Sequence, residues 1–136
     1  MNATNRRDLI GLAAGLLLAS QAKSQHEMQG GVKELTRHPL TAPEEGMEAV
    51  LVEVTVAPDA ASKAHRHPGF VLGYVLDGEL KFAINGKEPE IIKAGGTFFE
   101  PVGAVHTTGS SANPNAPVRF LAFIVAPKGS PLVLPA

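Results

Sequence analysis

The chain contains no cysteine. Disulfides, thiolate nucleophiles and iron–sulfur ligation are therefore excluded. Charge of one sign is also lacking. Twelve Lys and Arg stand against thirteen Asp and Glu, a formal net charge of −1, with no basic patch or charge run. Nothing in that balance attracts nucleic acid. No internal repeat is visible, and no stretch beyond residue 22 carries a helical period. The apolar run Leu9–Ala19 is too short to cross a bilayer comfortably, which takes about 20 residues.

The N-terminus bounds the location. It reads Asn5-Arg6-Arg7-Asp8-Leu9-Ile10, continues through the apolar run, and reaches Ser20-Gln21-Ala22. A charged start, an apolar middle and small residues before a cut after Ala22 predict a cleavable export signal over residues 1–22. The arginine pair resembles a twin-arginine signal, with Asn5 and Leu9 at positions that usually hold Ser or Thr and Phe. An ordinary secretory signal and an uncleaved anchor are the other readings. The mature protein is expected in the periplasm of a bacterium or secreted from it, touching membrane only through the signal. The cut leaves 114 of 136 residues; losing two arginines and one aspartate takes the formal charge from −1 to −2. That length makes one domain with a core that folds without staples.

The mature chain reads as all-β. Residues 23–46 are polar and aperiodic, a lead-in with at most a short edge strand. From Met47 onward Val50, Val52, Val54 and Val56 alternate with Leu51, Glu53 and Thr55, the period of a half-buried strand. Further strands are predicted at Val71–Leu76, Glu79–Ile84, Glu90–Lys93, Thr97–Glu100 and Val118–Ala126, with Asp77-Gly78, Asn85-Gly86 and Pro101 as punctuation and a Pro-rich tail behind. Six to eight short strands make a barrel or sandwich over residues 47–136.

Three of the five histidines form a pattern. His65 and His67 flank Arg66, and His106 follows the turn Pro101-Val102-Gly103-Ala104. Residues i and i+2 on a strand share a face. Two such imidazoles and a third from a neighbouring turn can converge on one metal ion.

These residues resemble the cupin superfamily. Its second motif is matched by Gly95, five residues, Pro101, Val102, Gly103, two residues, and His106. Its first is matched by His65-Arg66-His67 and, further on, Gly78. The resemblance covers about residues 47–127. It implies an antiparallel cupin barrel, also called a double-stranded β-helix or jelly roll. It also implies one divalent transition metal (Fe, Zn, Mn or Ni) on His65, His67 and His106, a small-molecule ligand and a homodimer. Three positions depart from the pattern: Asp59 replaces the opening glycine, Ser110 the closing asparagine, and Val71 the glutamate that normally joins the histidines. An all-histidine centre without that carboxylate stays more electrophilic and leaves positions for substrate or dioxygen.

Glu100 is the acid nearest to this pattern. It shares a strand face with Phe98, two residues away, and precedes Pro101. It is a candidate replacement ligand, hydrogen-bond acceptor for an imidazole, or general base; otherwise it is a rim carboxylate in water. Arg66 should point away from the site. Tyr74, the only tyrosine, reads as a packed barrel residue, Glu53 suits either layer, and His26 and His38 read as solvated. Phe70, Val71, Phe82, Phe98 and Phe120 are available to line an apolar cavity. Two functions stay open. One is a metal-dependent enzyme on a small molecule, a dioxygenase or a lyase/isomerase, with Glu100 catalytic. The other is a non-catalytic binding or sensing cupin with a structural or vacant metal site. An intact set of three histidines argues against a decayed site.

Overall fold

The computed structural model describes residues 30–136; the expected export signal and His26 lie outside them. The described residues are all-β, with ten strands in two five-stranded antiparallel sheets. The first sheet runs β1 (Gly31–Pro39), β2 (Met47–Val56), β9 (Val118–Pro127), β4 (Phe70–Asp77) and β7 (Thr97–Glu100). The second runs β10 (Leu134–Pro135), β3 (His65–Arg66), β8 (Val105–Ser111), β5 (Glu79–Ile84) and β6 (Glu90–Lys93). The strand count exceeds six to eight because two-residue ladders at His65–Arg66 and Leu134–Pro135 carry no alternation that sequence could display. His106, expected from a turn, lies on β8, whose polar, Gly-containing sequence shows no clear period of two. The lead-in supplies a nine-residue edge strand, longer than its aperiodic sequence suggests. It is almost wholly exposed, so the burial that creates a period of two is missing.

Alternation in the long strands decides what faces inward. Val50 and Val52 from β2, Val71 and Val75 from β4, Leu80 and Phe82 from β5, Phe98 from β7, and Val118, Phe120 and Ile124 from β9 form one buried cluster between the sheets. Each fully buried aliphatic chain of this kind contributes about 1.5–3 kcal/mol. Gly73 is part of the same logic. It sits opposite Phe98 across β4 and β7, and a Cβ there would collide with the Phe98 ring.

The expected hairpin forms at Asn85-Gly86, both with positive φ (55° and 68°). Only Asn and Gly tolerate that conformation readily. The Asn85 N–H donates to the Val105 carbonyl at 2.7 Å, and its side-chain oxygen accepts from the Val105 N–H at 2.9 Å. The hairpin thereby fixes the residue before His106. Outside the barrel, Tyr74 is 46 % exposed rather than packed. It lies one residue out of phase with Gly73 and Val75, whose positions face inward. Glu53 also faces outward and pairs with Arg119 at 3.1 Å.

Candidate metal centre

The ladder between the two short strands brings the histidines together. His65 of β3 pairs directly with His106 of β8, and His67 follows β3 immediately. Each of the three rings offers a nitrogen within 4.8 Å of the other two. Arg66, between the first two, is exposed and paired through its backbone with Val105 and Leu134. His38 is exposed and bonded to Thr36 Oγ1 at 2.8 Å, away from the site.

Hydrogen bonds fix the protonation of each ring. His65 Nδ1 donates to the Lys63 carbonyl at 2.7 Å, His67 Nδ1 to the Leu132 carbonyl at 2.7 Å, and His106 Nε2 to the Thr108 carbonyl at 2.8 Å. A carbonyl can only accept, so each outer nitrogen carries the proton. In the neutral rings the inner nitrogens then carry lone pairs. The Nε2 atoms of His65 and His67 face each other at 3.2 Å. Neither can donate to the other. Two lone pairs at that distance repel unless a proton or a metal cation stands between them. Backbone carbonyls orienting imidazoles in this way are the usual support of a metal-binding histidine.

Glu100 belongs to the same lining. It pairs across the sheet with Val71, so the two side chains share the inner face. It is 3 % exposed, which rules out a rim carboxylate in water. Its Oε1 lies 3.4 Å from His106 Nδ1 and its Oε2 3.8 Å from His67 Nε2. It does not join the histidines in the group of mutually close donors. The other buried acid, Glu48, is satisfied by Arg37 and by the Gly129 N–H at 3.2 Å. Glu100 Oε2 has no hydrogen-bond partner among the described residues.

Burial sets the electrostatics. It pushes the Glu100 carboxyl up to about 7, because the charged form loses water. It pushes His106 down to about 4, with the charge of His65 adding to the effect. His67 is lowered for the same reason, partly offset by its bond to the Leu132 carbonyl. Burial thus favours the neutral form of His67 and His106, the form that ligates metal.

The histidines and Glu100 open on a cavity of about 600 Å³. Val71, Phe98 and Phe120 line it as expected, joined by Val52, Val54, Ala122 and Ile124. Phe82 does not line it; its ring packs against His106 and Phe98, at centroid distances of 5.0 and 4.7 Å. Phe70 faces outward and meets Phe99 at 6.0 Å, because its position is in phase with Leu72 rather than Val71. Sequence reading missed two contributors. Leu132–Pro135, from the Pro-rich tail, walls the cavity and supplies the carbonyl that holds His67. Ser62 lines the cavity from a loop. Neither has a spacing signal, since one acts through its backbone and the other is a lone hydroxyl.

The cupin domain model matches residues 52–124, more than half of the chain. No curated protein matches it in sequence. Among solved structures it is similar to a conserved Klebsiella pneumoniae protein with a double-stranded β-helix domain, at TM-score 0.61 and 20 % identity over 86 % of this chain and 98 % of that one. It is similar to a DMSP lyase from Ruegeria pomeroyi, at TM-score 0.56 and 17 % identity over 87 % of this chain and 57 % of that one. It is also similar to a polyketide cyclase from Streptomyces resistomycificus, at TM-score 0.54 and 26 % identity over 83 % and 82 %. Both sheets, the motif residues and the matched segment coincide: the chain belongs to the cupin family.

Proposed function

We propose that the protein is a small metal-binding cupin that acts on a small molecule in its barrel, at a mononuclear site held by His65, His67 and His106. The observation that carries this reading is the set of inward lone pairs. All three outer ring nitrogens are committed to carbonyls, and two inner ones face each other at 3.2 Å. A proton is a poor occupant, because burial lowers the affinity of His67 and His106 for it. The donor set of three imidazoles suits Fe, Zn, Mn or Ni. A bound divalent ion would supply Lewis-acid polarisation of a ligand oxygen.

The chain's own residues do the rest. The apolar wall excludes water and holds the body of the ligand. Glu100, with its carboxyl near neutrality and one oxygen free of partners, gives or takes a proton at a group bound beside His67 and His106. The lyase and the cyclase among the structural neighbours support an enzymatic role for a cupin of this build. Export to the periplasm or beyond the cell and pairing into a homodimer belong to the same proposal. Elemental analysis of protein purified from its native host tests the reading. About one metal per chain is expected, lost on chelation and regained on adding the ion back. A metal-free protein that takes up no ion would contradict it.

A further inference from the structure

We propose that the cavity binds a molecule with an apolar body and one oxygen-bearing polar head, and that Ser62 Oγ anchors that head beside the histidines. The inference rests on the reading of the cavity as a ligand site. Two features of the lining carry it: where the wall is apolar, and where its unpartnered polar atoms lie.

The cavity, about 600 Å³, is in the size range of small-molecule sites. Its wall is built from Val52, Val54, Phe98, Phe120, Ile124 and Leu132. A charged or strongly polar ligand body would shed its water there with nothing in return. Polar groups gather around the histidines. Ser62 is tied to β8 by its N–H, which donates to the Gly109 carbonyl at 2.9 Å. Its hydroxyl and the His106 ring flank one point: a methyl on Gly109 would lie 2.6 Å from Ser62 Oγ and 2.9 Å from His106 Nε2. Gly109 keeps that space clear. Ser62 Oγ and Glu100 Oε2 are the two buried side-chain atoms without a hydrogen-bond partner among the described residues, and both residues line the cavity. Buried polar atoms are normally satisfied. A head that bonds Ser62 Oγ at the Nε2 edge of His106 would satisfy that hydroxyl, while its body rests on the apolar wall; Glu100 stands at the Nδ1 edge of the same ring. A site built in this way rejects analogues that lack the head. Lys63, also at the lining, is exposed, so its ammonium stays in water.

The test compares two probes with the same vicinal diol head, 4-propylcatechol and 3,4-dihydroxybenzoate. One has an apolar body and the other an anionic one. Calorimetric titration into the full chain, before and after zinc loading, is expected to give 4-propylcatechol an affinity at least about tenfold higher. Ser62→Ala should weaken it by about fivefold, leaving zinc content and the circular dichroism spectrum unchanged. Equal or tighter binding of 3,4-dihydroxybenzoate would overturn the proposal and assign recognition to Lys63. Binding of neither probe, or an unchanged affinity in Ser62→Ala, would overturn it as well. Zinc content read in the same samples separates the two claims. Zinc uptake without the apolar preference refutes this inference alone, and the preference without zinc refutes the metal centre alone.

Discussion

Val71 and Glu100 face each other across β4 and β7, and the exchange they represent is the most local feature of the site. The usual acidic position carries valine, while a carboxyl stands one strand away on the same inner face. Glu100→Gln tests what that carboxyl does. Its affinity for a proton is raised from about 4.5 to about 7, so the folded state holds the proton more tightly than the unfolded one. Stability from this group is therefore complete below about pH 4.5 and falls as pH rises through about 7. Metal-free Glu100→Gln should match the parent at about pH 4 and exceed it by about 1–3 kcal/mol at pH 8, read as denaturation midpoints. Activity should fall while metal content holds. Equal midpoints at both pH values would mean that the carboxylate is solvated. Gly73 gives a packing counterpart. Gly73→Ala should cost about 1–3 kcal/mol, because the added methyl displaces Phe98, and urea denaturation reads the loss.

At the scale of elements, the site depends on two very short ladders. β3 and β10 contribute two residues each, yet β3 carries His65, leads into His67, and is covered by the segment that supplies the Leu132 carbonyl. Removing residues 131–136 takes away that acceptor and one wall of the cavity. Metal affinity should fall about 10–100-fold, measured by competition with a chelator, while the circular dichroism of the sheets persists. Undiminished affinity would show that His67 is held by other means. These ladders also mark the limit of what the sequence displays. Strands β2, β4, β5, β7 and β9 were legible because burial alternates along them, and the β5–β6 turn because Asn85-Gly86 accepts positive φ. The histidines were legible through their spacing to Gly95, Pro101 and Gly103. The exposed strand β1, the Leu132 carbonyl and the Ser62 hydroxyl were not. Each works through backbone or long-range placement, which leaves no period and no spacing. Tyr74 and Phe70 were misplaced because an aromatic side chain suits either face of a strand, and only the phase of its neighbours decides. Phe82 is on the inner face but misses the cavity because it packs against His106 and Phe98.

At the scale of the whole fold, the described residues present a cavity inside one apolar layer and a second apolar surface outside it. Leu51, Phe123, Leu72 and Phe99 align in one row of register across β2, β9, β4 and β7, with Leu72 50 % and Phe99 54 % exposed. Contiguous exposed apolar surface of this kind marks an interaction site, in keeping with the proposed homodimer. Light scattering should report a dimer that Leu72→Lys converts to monomer without loss of fold; a monomeric parent would refute the pairing. The central claim concerns the interior, where carbonyls hold the outer nitrogens of three imidazoles and leave the inner ones free for a metal. Metal content per chain, measured by elemental analysis on the parent and on His65→Ala, His67→Ala and His106→Ala, tests it most directly. The account predicts about one transition-metal ion per parent chain and a sharp loss in each variant. A parent without metal, or three variants that retain the full complement, would contradict it.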